Sequence, residues 1–167
     1  MVLKKEGDWC MCPDFRALNK LTIKDKFPIP FIFYFLDDLY GAMLFTKLDL
    51  RSGCHQIMKK NANIPKTTFW THEGHYQFMV IPFGLYNTPS TFQSLMNKIL
   101  KPYLHLFVLV FFNDILIYSK TWEAHLQHVD IALKLLQDHK LFVKWSKCSF
   151  GVFEVEYLYV TLWDVRV

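Results

Sequence analysis

The segment from Leu106 to Ser119 constrains the fold of this 167-residue chain more than any other stretch. Two runs of aromatic and β-branched residues, 107–112 and 115–118, are separated only by Asn113 and Asp114. This pattern predicts a tight β-hairpin with polar groups at its tip. Because Asn and Asp are common turn residues, an ordinary turn is the alternative interpretation. A carboxylate between such apolar strands needs a cation, hydrogen bonds or open water, since an unpaired buried charge is costly.

A second carboxylate, Asp49, lies in a similar setting earlier in the chain. It falls near the end of the apolar run 43–50 and is followed by Arg51, Ser52 and Gly53. The run predicts a strand, and the small residues predict a turn whose backbone N–H groups could bind a phosphate. Two carboxylates in strand-end positions indicate one centre for a divalent cation.

Composition is consistent with one intracellular domain. Hydrophobic residues make up 52% of the chain, but no apolar run approaches the roughly 20 residues of a membrane span, and the N-terminus lacks a signal-peptide pattern. The four cysteines show neither CxxC spacing nor a disulfide frame, so we expect a reducing compartment. The net charge of +4 permits a polyanionic partner. Two histidine pairs have a three-residue spacing that could suit zinc, but further ligands are missing: His72/His75 and His125/His128.

The remaining segments alternate strand-like and helix-like patterns. Thr88 and Pro89 predict a helix N-cap and first helical position, with the helix running toward Pro102. A second helix is expected over 121–139, and its core-facing residues are Leu126, Val129, Leu133 and Leu136. A shorter helix is expected after Pro30 and ends near Gly41. The predicted short strands span 55–60, 67–72, 75–82, 147–150 and 155–160.

Several blocks of the sequence resemble the reverse transcriptase of gypsy-type LTR retrotransposons. In chain order they read CPDFRALNKLTIKDKFPIP, FTKLDLRSG, PKTTFWTHEGHYQF, PFGLYNTPSTFQSLMN, FVLVFFNDILIYSKTWEAHLQHV, KCSF and EYL. The resemblance implies an α+β fold, the fingers and palm of a right-hand polymerase, with an antiparallel palm sheet backed by helices. It implies one reverse transcriptase domain fragment over residues 1–167, in which fingers and palm are interleaved. The thumb and RNase H regions of the parent Pol polyprotein are expected to lie outside it.

The activity implied by this resemblance is RNA-directed DNA polymerisation. The implied partners are an RNA or DNA template with its primer and deoxynucleoside triphosphates, and the cofactor is a pair of Mg²⁺ ions, with Mn²⁺ as an alternative. By motif match, Asp49, Asp114 and the backbone carbonyl of Leu50 would hold the metal. Asn113 stands where the family has a third carboxylate. Because an amide brings no formal charge, we expect this copy to be impaired, by roughly a thousandfold or more in rate.

Further site residues are also carried over by motif match. Lys147 matches a lysine that can donate a proton to pyrophosphate, and Cys54 replaces a tyrosine beneath the incoming sugar. The residues expected along the nucleotide are Lys4, Lys5, Ser52, Gly53, Cys54, Phe83 and Gly84. Those expected along the template or primer are Pro82, Gln93, Tyr157 and Leu158. For Lys4, Lys5 and Lys147, solvated surface lysines are the alternative interpretation.

Two other functions compete with polymerisation at this point. A nucleic-acid-binding remnant would bind phosphate backbones through its basic residues, with a steep dependence on salt and no nucleotide incorporation. A translated fossil without function would fold badly and express as insoluble protein.

Overall fold

The computed structural model describes residues 2–3, 9–11, 13–27, 37–158 and 160–163. The chain divides into two compact units, each built from two separate segments. The first unit comprises Met1–Lys26 and Cys54–Pro89, and the second comprises Phe27–Gly53 and Ser90–Val167. No helix within the described ranges combines the length and the apolar character that crossing a membrane requires.

The described helices and strands are short, and most strands are hairpin partners of their neighbours. In chain order they are β1 (Val2–Leu3), β2 (Trp9–Cys10), α1 (Arg16–Leu21), β3 (Leu44–Asp49), β4 (Phe69–Thr71), β5 (Gly74–Tyr76), α2 (Thr88–Leu100), β6 (Val108–Phe111), β7 (Asp114–Ser119), α3 (Trp122–Asp138), β8 (Ser149–Val152), β9 (Glu154–Tyr157) and β10 (Val160–Trp163). Single 3₁₀ turns cover Gly53–Gln56, Asn61–Asn63, Pro65–Thr67 and Trp145–Lys147.

A four-stranded antiparallel sheet, in the order β6-β7-β3-β8, forms the centre of the second unit. Successive side chains of a strand point to opposite faces, so Phe45 and Thr46 face different layers. Phe45 packs in an apolar cluster with Val155 and Leu162 from the β9–β10 hairpin. Thr46 faces α3, which packs on β7 and β3. The predicted helix-backed antiparallel sheet is therefore confirmed.

Helix α3 agrees closely with the predicted range, but its buried face is displaced from the expected one. Thr121 caps the helix by accepting a hydrogen bond from the Ala124 N–H at 3.3 Å. The residues buried on α3 are His125, Ala132 and Leu136. Leu126, predicted to face the core, is 57% exposed, so that part of the prediction is wrong. The physical reason is that the sheet presents hydroxyl groups to this turn of the helix, and these satisfy a buried imidazole.

The buried imidazole of His125 lies in a chain of side-chain hydrogen bonds. Its Nε2 lies 2.8 Å from Thr46 Oγ1 and its Nδ1 lies 2.9 Å from Ser119 Oγ, which also lies 2.8 Å from His128 Nδ1. Burial lowers the pKa of His125 below its ordinary value of 6.5, and the neighbouring His128 lowers it further. Burial lowers the pKa of His128 as well. Both imidazoles are therefore neutral in the folded protein near neutral pH.

We expect the free energy of unfolding to decrease as the pH falls below about 6.5. In that range the unfolded chain binds protons that the folded His125 resists, so acidification favours unfolding. Thermal unfolding at about pH 7.5 and pH 5.5 measures the effect. The His125→Gln variant keeps hydrogen-bonding capacity without a titrating ring, so its melting temperature should change less between the two pH values. An equal change in melting temperature in both proteins would contradict the assignment of this pH dependence to His125.

The last predicted strand, 155–160, is two strands in the structure. β9 and β10 pair antiparallel, with Tyr157 opposite Val160. Leu158 falls in the turn between them with φ of 55° and so is not a strand residue. The strand predicted over 147–150 begins only at Ser149, because a 3₁₀ turn occupies Trp145–Lys147.

The first unit departs most from the predicted strands. The hairpin β4–β5 is present, with Trp70 opposite His75. The strand predicted over 55–60 is instead a 3₁₀ turn at Gly53–Gln56 followed by one isolated bridge between Met58 and Val80. Two backbone hydrogen bonds flank this bridge, from the Lys59 N–H to the Met79 carbonyl at 2.9 Å and from the Ile81 N–H to the Ile57 carbonyl at 3.0 Å.

Helices α1 and α2 and the segment before Gly41 also differ from expectation in detail. α1 was not predicted at all. α2 begins at Thr88 rather than Pro89, and the Thr88 hydroxyl donates to the Pro82 carbonyl at 3.2 Å. The helix predicted after Pro30 falls mostly outside the described residues. Residues 37 and 38 are helical, and Gly41 follows with φ of 73°, a conformation that glycine adopts without strain.

Candidate active site

Asp49 and Asp114 are neighbours across two central strands of the sheet. Asp49 is the last residue of β3 and Asp114 is the first residue of β7, and their Cα atoms are register partners. Directly opposite residues in an antiparallel pair have Cβ atoms about 4.5–5.5 Å apart. Both side chains line one open cavity, together with Lys47, Phe111, Phe112, Asn113, Glu156 and Leu158.

The hairpin tip is displaced by one residue from the predicted tip. Phe111 pairs with Asp114, so the two loop residues are Phe112 and Asn113, and Asp114 belongs to the strand. Phe112 has φ of 51°, a left-handed conformation that is uncommon for a bulky side chain. Asp114 is therefore held by ladder hydrogen bonds instead of lying in the loop.

Gln93 on α2 braces this strained tip from inside the unit. Its Oε1 accepts the Phe112 N–H at 2.7 Å, and its Nε2 donates to the Val110 carbonyl at 3.0 Å and to Asn97 Oδ1 at 2.8 Å. Gln93 is fully buried, and its predicted contact with template or primer stays a prediction. Its side chain fixes the loop that carries Asn113.

Tyr157 is also buried, and its predicted contact with the primer stays a prediction. It is 3% exposed, and its hydroxyl donates to the Asp114 carbonyl at 3.5 Å. Burial raises the pKa of Tyr157 far above its ordinary value, and the nearby Asp114 raises it further, so the hydroxyl remains protonated. The residue supports the strand that carries Asp114.

Backbone hydrogen bonds fix the end of β3 against its surroundings. The Leu50 N–H donates to the Asn113 carbonyl at 3.1 Å, and the Lys144 N–H donates to the Asp49 carbonyl at 2.7 Å. The Arg51 N–H donates to the Phe142 carbonyl at 2.9 Å. Asp49 thus has little freedom to move relative to the hairpin tip. The Leu50 carbonyl as a metal ligand stays a prediction.

Asn113 packs against Gly53 with no room for a larger residue. A Cβ added to Gly53 would lie 2.7 Å from Asn113 Oδ1 and 2.7 Å from the Phe92 ring. Such distances are shorter than van der Waals contact, so the position requires glycine for close approach. Asn113 Oδ1 is itself buried and has no hydrogen-bond partner in the described part of the chain.

We expect Gly53→Ala to lower the free energy of unfolding by about 1–3 kcal/mol, because the added methyl group overpacks the contact with Asn113 and Phe92. Urea denaturation measures the change. Combining it with Phe92→Leu removes ring atoms that cause the clash. The double variant should therefore lose less than the sum of the single variants, and strict additivity would contradict the contact.

The charges around the carboxylate pair oppose one another. Burial raises the pKa of Asp49 above its ordinary 3.8 and the nearby Asp114 raises it further, while the ammonium groups of Lys147, Lys47 and Lys144 lower it. Burial likewise raises the pKa of Asp114, against Lys47 and Lys147. Burial therefore disfavours the charged forms of both Asp49 and Asp114. A divalent cation bound between the two carboxylates would stabilise those charged forms.

Comparison with known proteins identifies the family. The family described as "Reverse transcriptase (RNA-dependent DNA polymerase)" matches residues 2–162. The chain belongs to the reverse transcriptase family. An RNA-directed DNA polymerase homolog of Oenothera berteroana is 46% identical over 124 residues, which are 72% of this chain and 87% of that protein.

Other relatives of this reverse transcriptase chain are much longer. The retrovirus-related Pol polyproteins from transposons 297 and gypsy of Drosophila melanogaster are 41% and 39% identical over 87% of this chain. The chain spans only 14% of the length of each.

Solved structures share the fold. The foamy viral protease-reverse transcriptase in complex with double-stranded DNA has a TM-score of 0.89 at 23% identity, over 98% of this chain and 28% of the viral one. The same viral enzyme in complex with an RNA/DNA hybrid has a TM-score of 0.82 at 21% identity, over 90% and 20% of the respective chains. The fold is the α+β fingers and palm of a right-hand polymerase.

Reverse transcriptases as a family use divalent metal ions, and the donor atoms at this site fit such an ion. Mg²⁺ and Mn²⁺ prefer carboxylate, carbonyl and water oxygens. Asp49 and Asp114 supply two carboxylates to the cavity, and Asn113, whose unpartnered Oδ1 is buried near Gly53, also lines it. Among the described residues, no third His, Cys, Asp or Glu side chain completes a metal-binding group.

Lys47 is a site residue that the sequence analysis missed. Its Nζ lies 3.8 Å from Asp114 Oδ2 and donates to the Glu156 carbonyl at 3.1 Å. The spacing in the sequence could have identified it, since residues two apart on a strand share a face and Lys47 precedes Asp49 by two.

The other predicted site residues fall in different parts of the chain. In the second unit, Ser52 is exposed with φ of 47°, Leu158 lines the cavity, and Lys147 is exposed. In the first unit, Cys54 is buried, which raises the pKa of its thiol, and Gly84 is exposed.

Two more of these predicted residues belong to the loop before α2. The Phe83 ring lies 4.7 Å from the His55 ring. Pro82 is buried and its carbonyl accepts the Thr88 hydroxyl, while its predicted place along the template stays a prediction. Lys4 and Lys5 lie outside the described residues.

Proposed function

We propose that this chain is the fingers and palm of an RNA-directed DNA polymerase from a gypsy-type LTR retrotransposon Pol polyprotein, and that this copy is catalytically impaired. The observation that carries the proposal is the cross-strand pair of Asp49 and Asp114 at the end of the palm sheet. The first unit corresponds to the fingers and the second to the palm, as one reverse transcriptase domain interleaved in sequence.

The substrates proposed are an RNA or DNA template with its primer and deoxynucleoside triphosphates. The foamy viral enzyme binds double-stranded DNA in one of the similar structures and an RNA/DNA hybrid in another, and the net charge of +4 suits a polyanion. In the parent polyprotein, thumb and RNase H regions would hold the duplex on the palm. Free thiols at Cys54 and Cys148 are in keeping with a reducing compartment inside the cell.

The metal proposed is a pair of Mg²⁺ ions, with Mn²⁺ as a substitute, held by Asp49, Asp114 and the Leu50 carbonyl. When bound, such ions activate the primer 3′-hydroxyl and neutralise the triphosphate and the departing pyrophosphate. Asn113 would contribute its amide oxygen alone. The site therefore carries one negative charge fewer than three carboxylates would supply.

The side chains around the pair have separate tasks. Lys147 lies close enough to lower the pKa of Asp49, and its ammonium is proposed to give a proton to pyrophosphate as it leaves. Ser52 and Gly53 form the turn after β3, where backbone N–H groups can contact the triphosphate. Gln93 and Tyr157 hold the hairpin and β7 in place from beneath.

Primer extension on poly(rA)/oligo(dT) with Mg²⁺ or Mn²⁺ tests this proposal. The chain as it stands should extend poorly, and Asn113→Asp should extend measurably. Asp49→Asn in the Asn113→Asp background is the control, and it should abolish the gain. Steeply salt-dependent binding of template without extension by either protein would instead favour a nucleic-acid-binding remnant.

A further inference from the structure

Lys47 occupies a place where a positive charge has two partners from different sheets. It lies on β3, two residues before Asp49, and therefore on the same face. Its ammonium donates to the Glu156 carbonyl on β9 at 3.1 Å and lies 3.8 Å from Asp114 Oδ2 on β7. The side chain is only 23% exposed, so its position is set by these partners more than by solvent.

Polar side chains join the β9–β10 hairpin to the four-stranded sheet β6-β7-β3-β8. The two strands form their own sheet, separate from β6-β7-β3-β8. Two polar side chains bridge the sheets here: Lys47 through the Glu156 carbonyl, and Tyr157 through the Asp114 carbonyl. An apolar cluster that contains Phe45, Val155 and Leu162 also joins the hairpin to the four-stranded sheet.

A divalent ion on Asp114 would change the forces on Lys47. The ammonium and the ion carry like charges and share one carboxylate, so each weakens the hold of the other. The Glu156 carbonyl is neutral and remains available to the ammonium. A shift of Lys47 away from Asp114 is thereby transmitted to β9.

We propose that Lys47 is a positioning residue that couples divalent-ion occupancy of the Asp49–Asp114 pair to the position of the β9–β10 hairpin. The inference rests on the proposed function, because it presumes that these carboxylates bind the ion. It adds that the Lys47 ammonium competes with the divalent ion for the Asp114 carboxylate. The hairpin next to the carboxylates then responds to the metal directly.

The test measures Mn²⁺ binding by electron paramagnetic resonance and amide hydrogen exchange in 154–157 and 160–163, with and without Mn²⁺. Lys47→Met keeps the length of the side chain and removes its charge. It should bind Mn²⁺ about three- to tenfold more tightly and exchange faster in the hairpin without metal. In the original protein Mn²⁺ should change the exchange of the hairpin, and in Lys47→Met that response should disappear.

Two variants serve as controls. Lys47→Arg retains the charge and should retain the metal response. Lys134→Met removes a lysine whose partner is Asp130 on the exposed face of α3, at 2.6 Å, and should leave Mn²⁺ affinity and hairpin exchange unchanged. A role for Lys47 in stability alone would raise exchange in Lys47→Met without altering Mn²⁺ affinity.

The outcomes separate this proposal from the proposed function. If Mn²⁺ binds and Lys47→Met changes neither its affinity nor the hairpin response, the coupling is overturned while the metal site stands. If neither the original chain nor Asn113→Asp binds Mn²⁺, the proposed function fails and the coupling fails with it. If Mn²⁺ binding and the Lys47 response are present but even Asn113→Asp shows no primer extension, the coupling holds and only the polymerase activity is overturned.

Discussion

Asn113→Asp is expected to raise the rate of primer extension by about a thousandfold. The substitution adds a third carboxylate next to Asp49 and Asp114, and stabilisation of the transition state by several kcal/mol corresponds to a gain of this size. The backbone should need no change, because Asn and Asp have nearly the same shape and the tip is held by Gln93 and the Leu50 N–H.

The same substitution should destabilise the metal-free protein. A third negative charge in the cavity of two carboxylates whose pKa values burial already raises would cost about 1–2 kcal/mol. Added Mn²⁺ should recover this loss, because an ion that binds only the folded state stabilises it. Thermal unfolding with and without Mn²⁺ measures both effects. A gain in rate without any metal-dependent stabilisation would contradict the charge argument.

Gln93→Leu is expected to lower the free energy of unfolding by about 2–4 kcal/mol. Leucine fills a similar volume but leaves the Phe112 N–H and the Val110 carbonyl without their partner inside the unit, and buried unsatisfied groups each cost about 1–3 kcal/mol. Urea denaturation measures the loss. The strained Phe112 should also become more mobile, which faster amide exchange at 111–114 would report.

A matched control separates loss of these hydrogen bonds from loss of any glutamine. Gln127 is exposed on α3, so Gln127→Leu should change stability by no more than about 0.5 kcal/mol. Equal losses in the two variants would mean that Gln93 does not brace the hairpin.

The four-stranded sheet β6-β7-β3-β8 was predictable from sequence because local patterns and tertiary packing agree there. The apolar run ending in Asp49 became β3, and the two runs around Asn113 became β6 and β7. The one-residue error at the tip has a physical cause. Phe112 adopts a left-handed conformation that propensity disfavours, and the distant Gln93 stabilises it.

Other features could not be read from spacing because they depend on partners far away in sequence. The buried face of α3 turns toward His125 since Thr46 and Ser119 provide hydrogen bonds for it. Residues 55–60 alternate like a strand, yet a 3₁₀ turn occupies Gly53–Gln56 and only Met58 forms a bridge, with Val80. Burial of Gln93 and Tyr157 likewise comes from tertiary packing, whereas motif matching alone suggested contact with a strand of nucleic acid.

The cross-strand pairing of Asp49 with Asp114 determines which kinds of mutation in the gene would abolish the carboxylate pair. Side chains alternate between the two faces of a strand, so a slip of one residue in β7 would turn Asp114 toward the helices and bring Ile115 into the cavity. A codon gained or lost within the hairpin therefore destroys the site in one step that no later base change repairs. A codon substituted in place, as the proposed function holds for that of Asn113, leaves the framework intact and is a single reversion away from the proposed set of three carboxylates.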